Sequence, residues 1–126
     1  MNELAAAGAN AGVVWLAINS GAPGKQGHGL ELNQKAAKEF SLSFPLLIDE
    51  SGAVGKAYAA KTTPHLYVIS PDGLLRYQGA IDDAPNPGGP AGKTNYVADA
   101  LAALAAGKPV ATAESRPYGC NVKYGE

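Results

Sequence analysis

A single cysteine, Cys120, stands in the 126 residues, close to the C-terminus. One thiol excludes an intramolecular disulfide and any Cys-x-x-Cys redox or zinc pair. Charge of one sign is missing as well. Ten Lys and Arg balance eleven Asp and Glu for a net charge of −1, and no stretch gathers basic side chains as a nucleic-acid or anionic-lipid surface requires. Long apolar runs are absent. The longest, Val13 to Ile18, is strand-sized, against the roughly 20 residues that span a bilayer. The opening MNELAAAGANAG has neither the basic start nor the apolar core of a secretory signal, so a soluble, cytoplasmic chain is expected as encoded.

Histidine is equally scarce. His28 and His65 lie far apart with no cysteine spacing around them, which is a poor basis for a metal site. The loop from Asn19 to Gly29 lacks the GxxxxGK[ST] order of a phosphate loop, and no serine triad can be assembled. Neither metal nor cofactor is expected.

What is present fits one soluble domain: 46% apolar and 17% charged residues, with 16 Gly and 9 Pro for turns, in a length whose core can stand alone. Leu4 to Ala7 reads as the end of an Ala-rich helix stopping at Gly8 or Gly12. Val13 to Ile18, nearly continuous in apolar residues, reads as a strand covered on both faces. Asn19 to Gly29 (NSGAPGKQGHG) is a long loop after its carboxyl end, where α/β folds place ligands. Leu30 to Phe40 is an amphipathic helix, with Ala36, Ala37 and Phe40 on one face and an i,i+4 Glu31/Lys35 pair on the other. Phe44 to Asp49 is a strand, and the order strand, helix, strand predicts a right-handed parallel crossover. Ser51 is the expected cap of a short helix from Gly52 to Tyr58.

His65 to Ile69 and Leu74 to Ile81 flank Ser70-Pro71-Asp72-Gly73, a turn in which proline supplies the fixed φ and glycine tolerates a positive one, so a β-hairpin is predicted. Asp82 to Lys93 is a loop. Asp82-Asp83 is read as turn chemistry and not as a catalytic pair, because adjacent side chains point apart. Thr94 or Asn95 caps a helix carrying Val97, Ala100, Leu101 and Leu104, which Gly107 and Pro109 end. Trp15, Tyr67, Tyr77 and Tyr96 are expected in the core. Tyr118, Val122 and Tyr124 point to a tail that docks on the body.

The sequence VVWLAINS, then a helix, then FPLLIDESGAVGKAYAAKTTPHLYVISPDGLLRYQGAIDD, a second helix and PYGCNVKY resembles the redoxin branch of the thioredoxin-like superfamily, the AhpC/TSA-type proteins. KTTPHLYVI, YQGAIDD and PYGCNVKY are the most specific parts. The resemblance implies an α/β, thioredoxin-like three-layer sandwich with a mixed sheet, occupying residues 1–110 and followed by a tail, 111–126, that carries Cys120. In that family a preceding strand and helix bear a cysteine motif, and Met1 to Gly12 resembles only the end of that helix. The expectation is an N-terminally truncated member without the nucleophilic cysteine. Loss of a central strand leaves two unpaired edges. They would close by pairing the Val13 to Ile18 and His65 to Ile69 strands directly, or by strand exchange in a dimer.

The same resemblance makes Thr63-Pro64 the cis-proline loop, with the Thr63 backbone facing a thiol or an extended peptide and His65 at the rim. A bland reading, a strand-entry proline, stands beside it. Cys120 becomes a resolving or partner thiol; otherwise it is a packed or free tail cysteine, since exchange needs a second thiol. The function implied is a thiol–disulfide redox or peroxidase-related, antioxidant domain that is catalytically incomplete. Its expected partners are a thiol or disulfide protein and a second copy of itself. The alternative is a non-catalytic peptide- or protein-binding module using the cis-proline groove, in the form of a strand-exchanged dimer.

Overall fold

The computed structural model describes residues 12–22, 30–39, 44–84, 92–122 and 124. The chain forms two compact units, Met1–Ala60 with Val122–Glu126, and Lys61–Asn121. The expected N-terminal helix end, His28 and Phe40 lie outside the described residues.

In the first unit, β1 (Ala17–Asn19) runs parallel to β2 (Leu46–Ile48), with Ala17 opposite Leu46 and Asn19 opposite Ile48. Helix α1 (Leu30–Glu39) joins them and packs on β2. A parallel pair needs such a crossover, which the strand–helix–strand pattern predicts. Asn33 is the buried polar residue of α1, and it accepts a 2.6 Å hydrogen bond from the Asn19 side-chain amide at the end of β1.

The Val13 to Ile18 run differs from expectation. Its ladder begins only at Ala17, and Val14, Leu16 and Ile18 are 81%, 52% and 44% exposed. Extended backbone sends alternate side chains to opposite faces, and the intervening Val13, Trp15 and Ala17 are half-buried, with the Trp15 ring 5.8 Å from that of Phe44. The continuous apolar run therefore covers one face only. Ser51 is a second correction. Helix α2 (Ala53–Ala57) is capped at Gly52 without a side-chain bond, while Ser51 Oγ stands one residue earlier and accepts from Ala53 N–H at 3.2 Å.

In the second unit, β4 (Leu66–Ile69) and β5 (Leu75–Gly79) form the predicted antiparallel hairpin, with a register shift between Val68 and Ile69. Its turn is closed by Gly73 N–H to Ser70 O and Ser70 N–H to Leu74 O, with Gly73 at φ +83°. Arg76 adds an ion pair to Asp72 at 3.0 Å. Helix α3 (Tyr96–Ala105) packs on both strands. It starts at Asn95, whose Oδ1 accepts from Ala98 N–H at 2.8 Å, so the second of the two predicted caps is the one used. Val97 and Ala100 meet a core of Val68, Tyr77 and Ala80, with Tyr77 wholly buried and stacked 6.0 Å from Tyr96. The remaining strands, β3 (Thr62–Thr63) and β6 (Cys120–Asn121), pair antiparallel.

Candidate functional site

Four residues carry the sequence-based site: Thr63, Pro64, His65 and Cys120. The structure brings them together through one short ladder. β3 lies antiparallel to β6 with Thr62 opposite Asn121 and Thr63 opposite Cys120, so the chain's one cysteine sits directly across from the residue preceding the proline. Thr62 Oγ1 donates to the Pro64 carbonyl at 2.8 Å, tightening the bend that leads into β4.

His65 is held at both ring nitrogens. Lys61 N–H donates to Nδ1 at 3.2 Å, and a backbone N–H can only donate, so the ring proton belongs on Nε2. There Gln78 Oε1 accepts at 3.1 Å, and the Gln78 amide donates onward to Glu114 at 3.2 Å. The imidazole also stacks on Tyr67 at 4.7 Å. Burial pushes the His65 pKa below its ordinary value; the Gln78 hydrogen bond opposes this in part and the Lys61 charge adds to it. The neutral ring is the stable form, a hydrogen-bonded fixture at the rim.

The tail reaches β3 because it is anchored first to β5. Gln78 N–H donates to Ala113 O at 3.0 Å and Ser115 N–H to Gln78 O at 3.1 Å. A closed cycle follows: Ala80 N–H donates to Ser115 Oγ, Ser115 O–H to Tyr77 Oη, and Tyr77 O–H to the Ala80 carbonyl. Only glycine fits at position 79, where a Cβ would overlap the Ser115 carbonyl. Closer to the cysteine, Tyr118 donates to Asp82 Oδ1. Asp82 is buried and also accepts from Ala84 and Gly92 N–H. The Tyr118 bond leads in holding its carboxyl below the usual range, against the effect of burial. In return, that hydrogen bond and burial push Tyr118 up to about 12. Asp83 turns elsewhere, accepting from Thr94 N–H at 3.0 Å, so the two aspartates organise the loop separately, as the turn reading expects.

A second polar cluster lies in the first unit, at the carboxyl ends of β1 and β2. Asp49 Oδ2 accepts from Ser20 Oγ at 2.7 Å and from Gly55 N–H at 2.9 Å, all buried. The Ser20 bond leads in lowering the Asp49 pKa while burial opposes it. Tyr124 closes over the cluster, its hydroxyl donating to Ala60 O at 2.8 Å. Neither this cluster nor the Tyr118–Asp82 pair was readable beforehand; their only signals are an aspartate ending an apolar strand and lone tyrosines in a polar tail. Among the described residues, no group of three or more His, Cys, Asp or Glu could hold a metal, and no helix is long and apolar enough to cross a membrane.

Elements and site define a thioredoxin-like α/β protein. Two crystal structures share its fold. One, a hypothetical protein from Sinorhizobium meliloti, is 32% identical at a TM-score of 0.84, over 98% of this chain and 68% of that one. The other, an uncharacterized conserved protein from Geobacillus kaustophilus, is 35% identical at 0.82, over 98% of this chain and 66% of that one. The chain thus spans about two thirds of the length of each. No curated protein matches it. Residues 1–78 match the AhpC/TSA family, and the chain belongs to that family, whose membership points to thioredoxin-like redox or peroxidase-related function.

Proposed function

We propose that this is a thiol–disulfide redox or peroxidase-related domain in which Cys120 is the reacting thiol and Thr63, Pro64 and His65 shape the groove beside it, with the Thr63–Pro64 peptide bond cis. Family membership supports the class of chemistry. The observation that carries the residue assignment is the register placing Cys120 opposite Thr63.

In the peroxidase form, the Cys120 thiolate attacks one peroxide oxygen and the O–O bond breaks. Hydroxide or alkoxide leaves, and the sulfur becomes a sulfenic acid. A second thiol then condenses with the sulfenic acid, expelling water and forming a disulfide, which an external thiol reduces. With one cysteine in the sequence, that second thiol lies outside these 126 residues. On its own the chain is catalytically incomplete.

The test is mass spectrometry and size-exclusion chromatography before and after stoichiometric hydrogen peroxide. A Cys120 sulfenic acid or a Cys120-linked dimer is expected, and Cys120→Ala should abolish both. A thiol that stays reduced rejects this reading in favour of a second, a non-catalytic module that binds peptide or protein strands in the proline-loop groove. The β3–β6 ladder favours that second reading, since Thr62 and Thr63 already pair with an extended segment. A strand-exchanged homodimer, which would appear as a doubled mass in solution, belongs to the same reading.

A further inference from the structure

We propose that this chain dimerises by laying β1 of one copy edge to edge and antiparallel against β1 of a second copy. The contact involves neither Cys120 nor the proline-loop groove, so it stands apart from both readings above.

The extended conformation around β1 runs further than its pairing does. Among the described residues β1 has β2 as its one strand neighbour, and the ladder starts at Ala17. Exposure nevertheless alternates residue by residue from Gly12 to Asn19, the pattern of a strand. Val13 to Leu16 is thus strand-like without a ladder. The bonds to β2 fix which edge of β1 is taken. Ala17 N–H donates to Pro45 O at 3.0 Å, and Asn19 O accepts from Asp49 N–H at 2.8 Å. The backbone polar groups of Leu16 and Ile18 therefore lie at the opposite edge, with Val14 in phase. These three residues also carry exposed side chains, and Leu47, in register with Ile18, continues the exposed apolar row onto β2.

Such an edge fits an uncharged, apolar strand. Gly12 to Ala22 (GVVWLAINSGA) contains neither a charged residue nor a proline, two of the devices that keep sheet edges from pairing with one another. It offers no counter-charge to a charged partner and no repulsion to a copy of itself. The edge is also self-complementary. A two-fold axis at Leu16 sets Leu16 against Leu16 of the second copy, and Val14 of each copy against Ile18 of the other, which is the register that uses all three residues. Each of these pairs is of the kind that exchanges both backbone hydrogen bonds, and on one face aliphatic side chains stand beside aliphatic side chains. Both copies spend the same edge, so association closes at two.

The test uses the full chain carrying Cys120→Ala, so that no native thiol can link two copies. Sedimentation velocity over a range of concentrations should show a reversible monomer–dimer equilibrium. Leu16→Lys, which sets like charges directly opposite one another, should weaken it about tenfold or more. Engineered thiols then read the register. In the same background, Leu16→Cys alone should oxidise to a disulfide-linked dimer, because directly opposed residues lie within disulfide reach. Val14→Cys and Ile18→Cys should link to each other when the two proteins are mixed, and neither should link to itself. Glu50→Cys, exposed and off the strand, gives the rate of random collision.

A chain that stays monomeric at every concentration overturns the proposal, as does a dimer that Leu16→Lys leaves unmoved. Should Leu16→Lys not fold, the cross-linking pattern decides. Linkage of Leu16→Cys no faster than that of Glu50→Cys overturns the proposal, and so does a dimer with any other pattern, such as strand exchange through a different element would give. Peroxide reactivity of Cys120 is read on separate samples, so an inert thiol leaves the dimer standing, and a monomer leaves the thiol reading standing.

Discussion

Tyr118 donates its phenolic hydrogen to the buried carboxylate of Asp82, two residues before Cys120 in the tail. The bond raises one pKa and lowers the other. The two shifts act at opposite ends of the pH scale.

The alkaline limb follows from Tyr118. Its folded pKa is raised to about 12, so its contribution is complete below the unfolded value of about 10 and is lost as pH rises through 12. Thermal melts of wild type should weaken across that window. Tyr118→Phe should start about 1.5–3 kcal/mol less stable at neutral pH, the scale of a hydrogen bond to a charged group, and show a shallower alkaline loss. Parallel pH profiles for the two proteins would refute the assignment.

The acid limb belongs to Asp49 and Asp82, whose folded pKa values are both depressed. Depressed carboxyls contribute stability that is present above their unfolded pKa of about 3.9 and disappears as pH falls through the folded value. Ser20→Ala deletes the largest cause of the Asp49 shift. The expected result is a carboxyl titration for Asp49 moved upward by NMR, and acid unfolding that begins at higher pH. An unmoved Asp49 titration would show that Ser20 is incidental.

Gly55 separates propensity from packing. Within a helix, alanine is favoured over glycine by about 1 kcal/mol. Here a Cβ would stand 2.6 Å from Ser20 Oγ and 2.7 Å from the Tyr124 hydroxyl, and both atoms are tied down by hydrogen bonds to Asp49 and Ala60. Overpacking costs about 1–3 kcal/mol, so Gly55→Ala should destabilise by roughly 1–2 kcal/mol in urea melts, against the sign that propensity alone predicts.

His65 should titrate below an ordinary histidine, because burial disfavours the cation and protonation at Nδ1 would oppose the Lys61 N–H that donates to it. With a lowered folded pKa, its contribution is present above about 6.5 and is lost as pH falls through the folded value. Gln78→Ala, which removes the bond that favours the cation, should move the NMR titration of His65 lower still, and Lys61→Ala should move it higher. A pair of shifts in the same direction would contradict the environment described.

Much of the scaffold was legible because its signals are local. Ser70-Pro71-Asp72-Gly73 carries its own turn chemistry, and the β4–β5 hairpin follows. Asn95 ahead of a helical apolar period marks the start of α3. The extent of β1 was not legible, since a continuous apolar run reports a preference for burial without saying what neighbour is available to bury it. Ser51 misled because a serine ahead of a helix can bond the first turn from more than one position, and Gly52 took the cap itself.

The sequence by itself determined the family and most of the elements, though not β3 or β6. Period, turn residues and the KTTPHLYVI and PYGCNVKY segments depend on neighbours along the chain. Only the tertiary structure decided that Cys120 meets Thr63, 57 positions away in the numbering, that Tyr118 finds Asp82, and that Ser20 finds Asp49. Such pairings depend on strand register and on which buried acceptor a hydroxyl can reach, and neither is encoded within the few residues on either side.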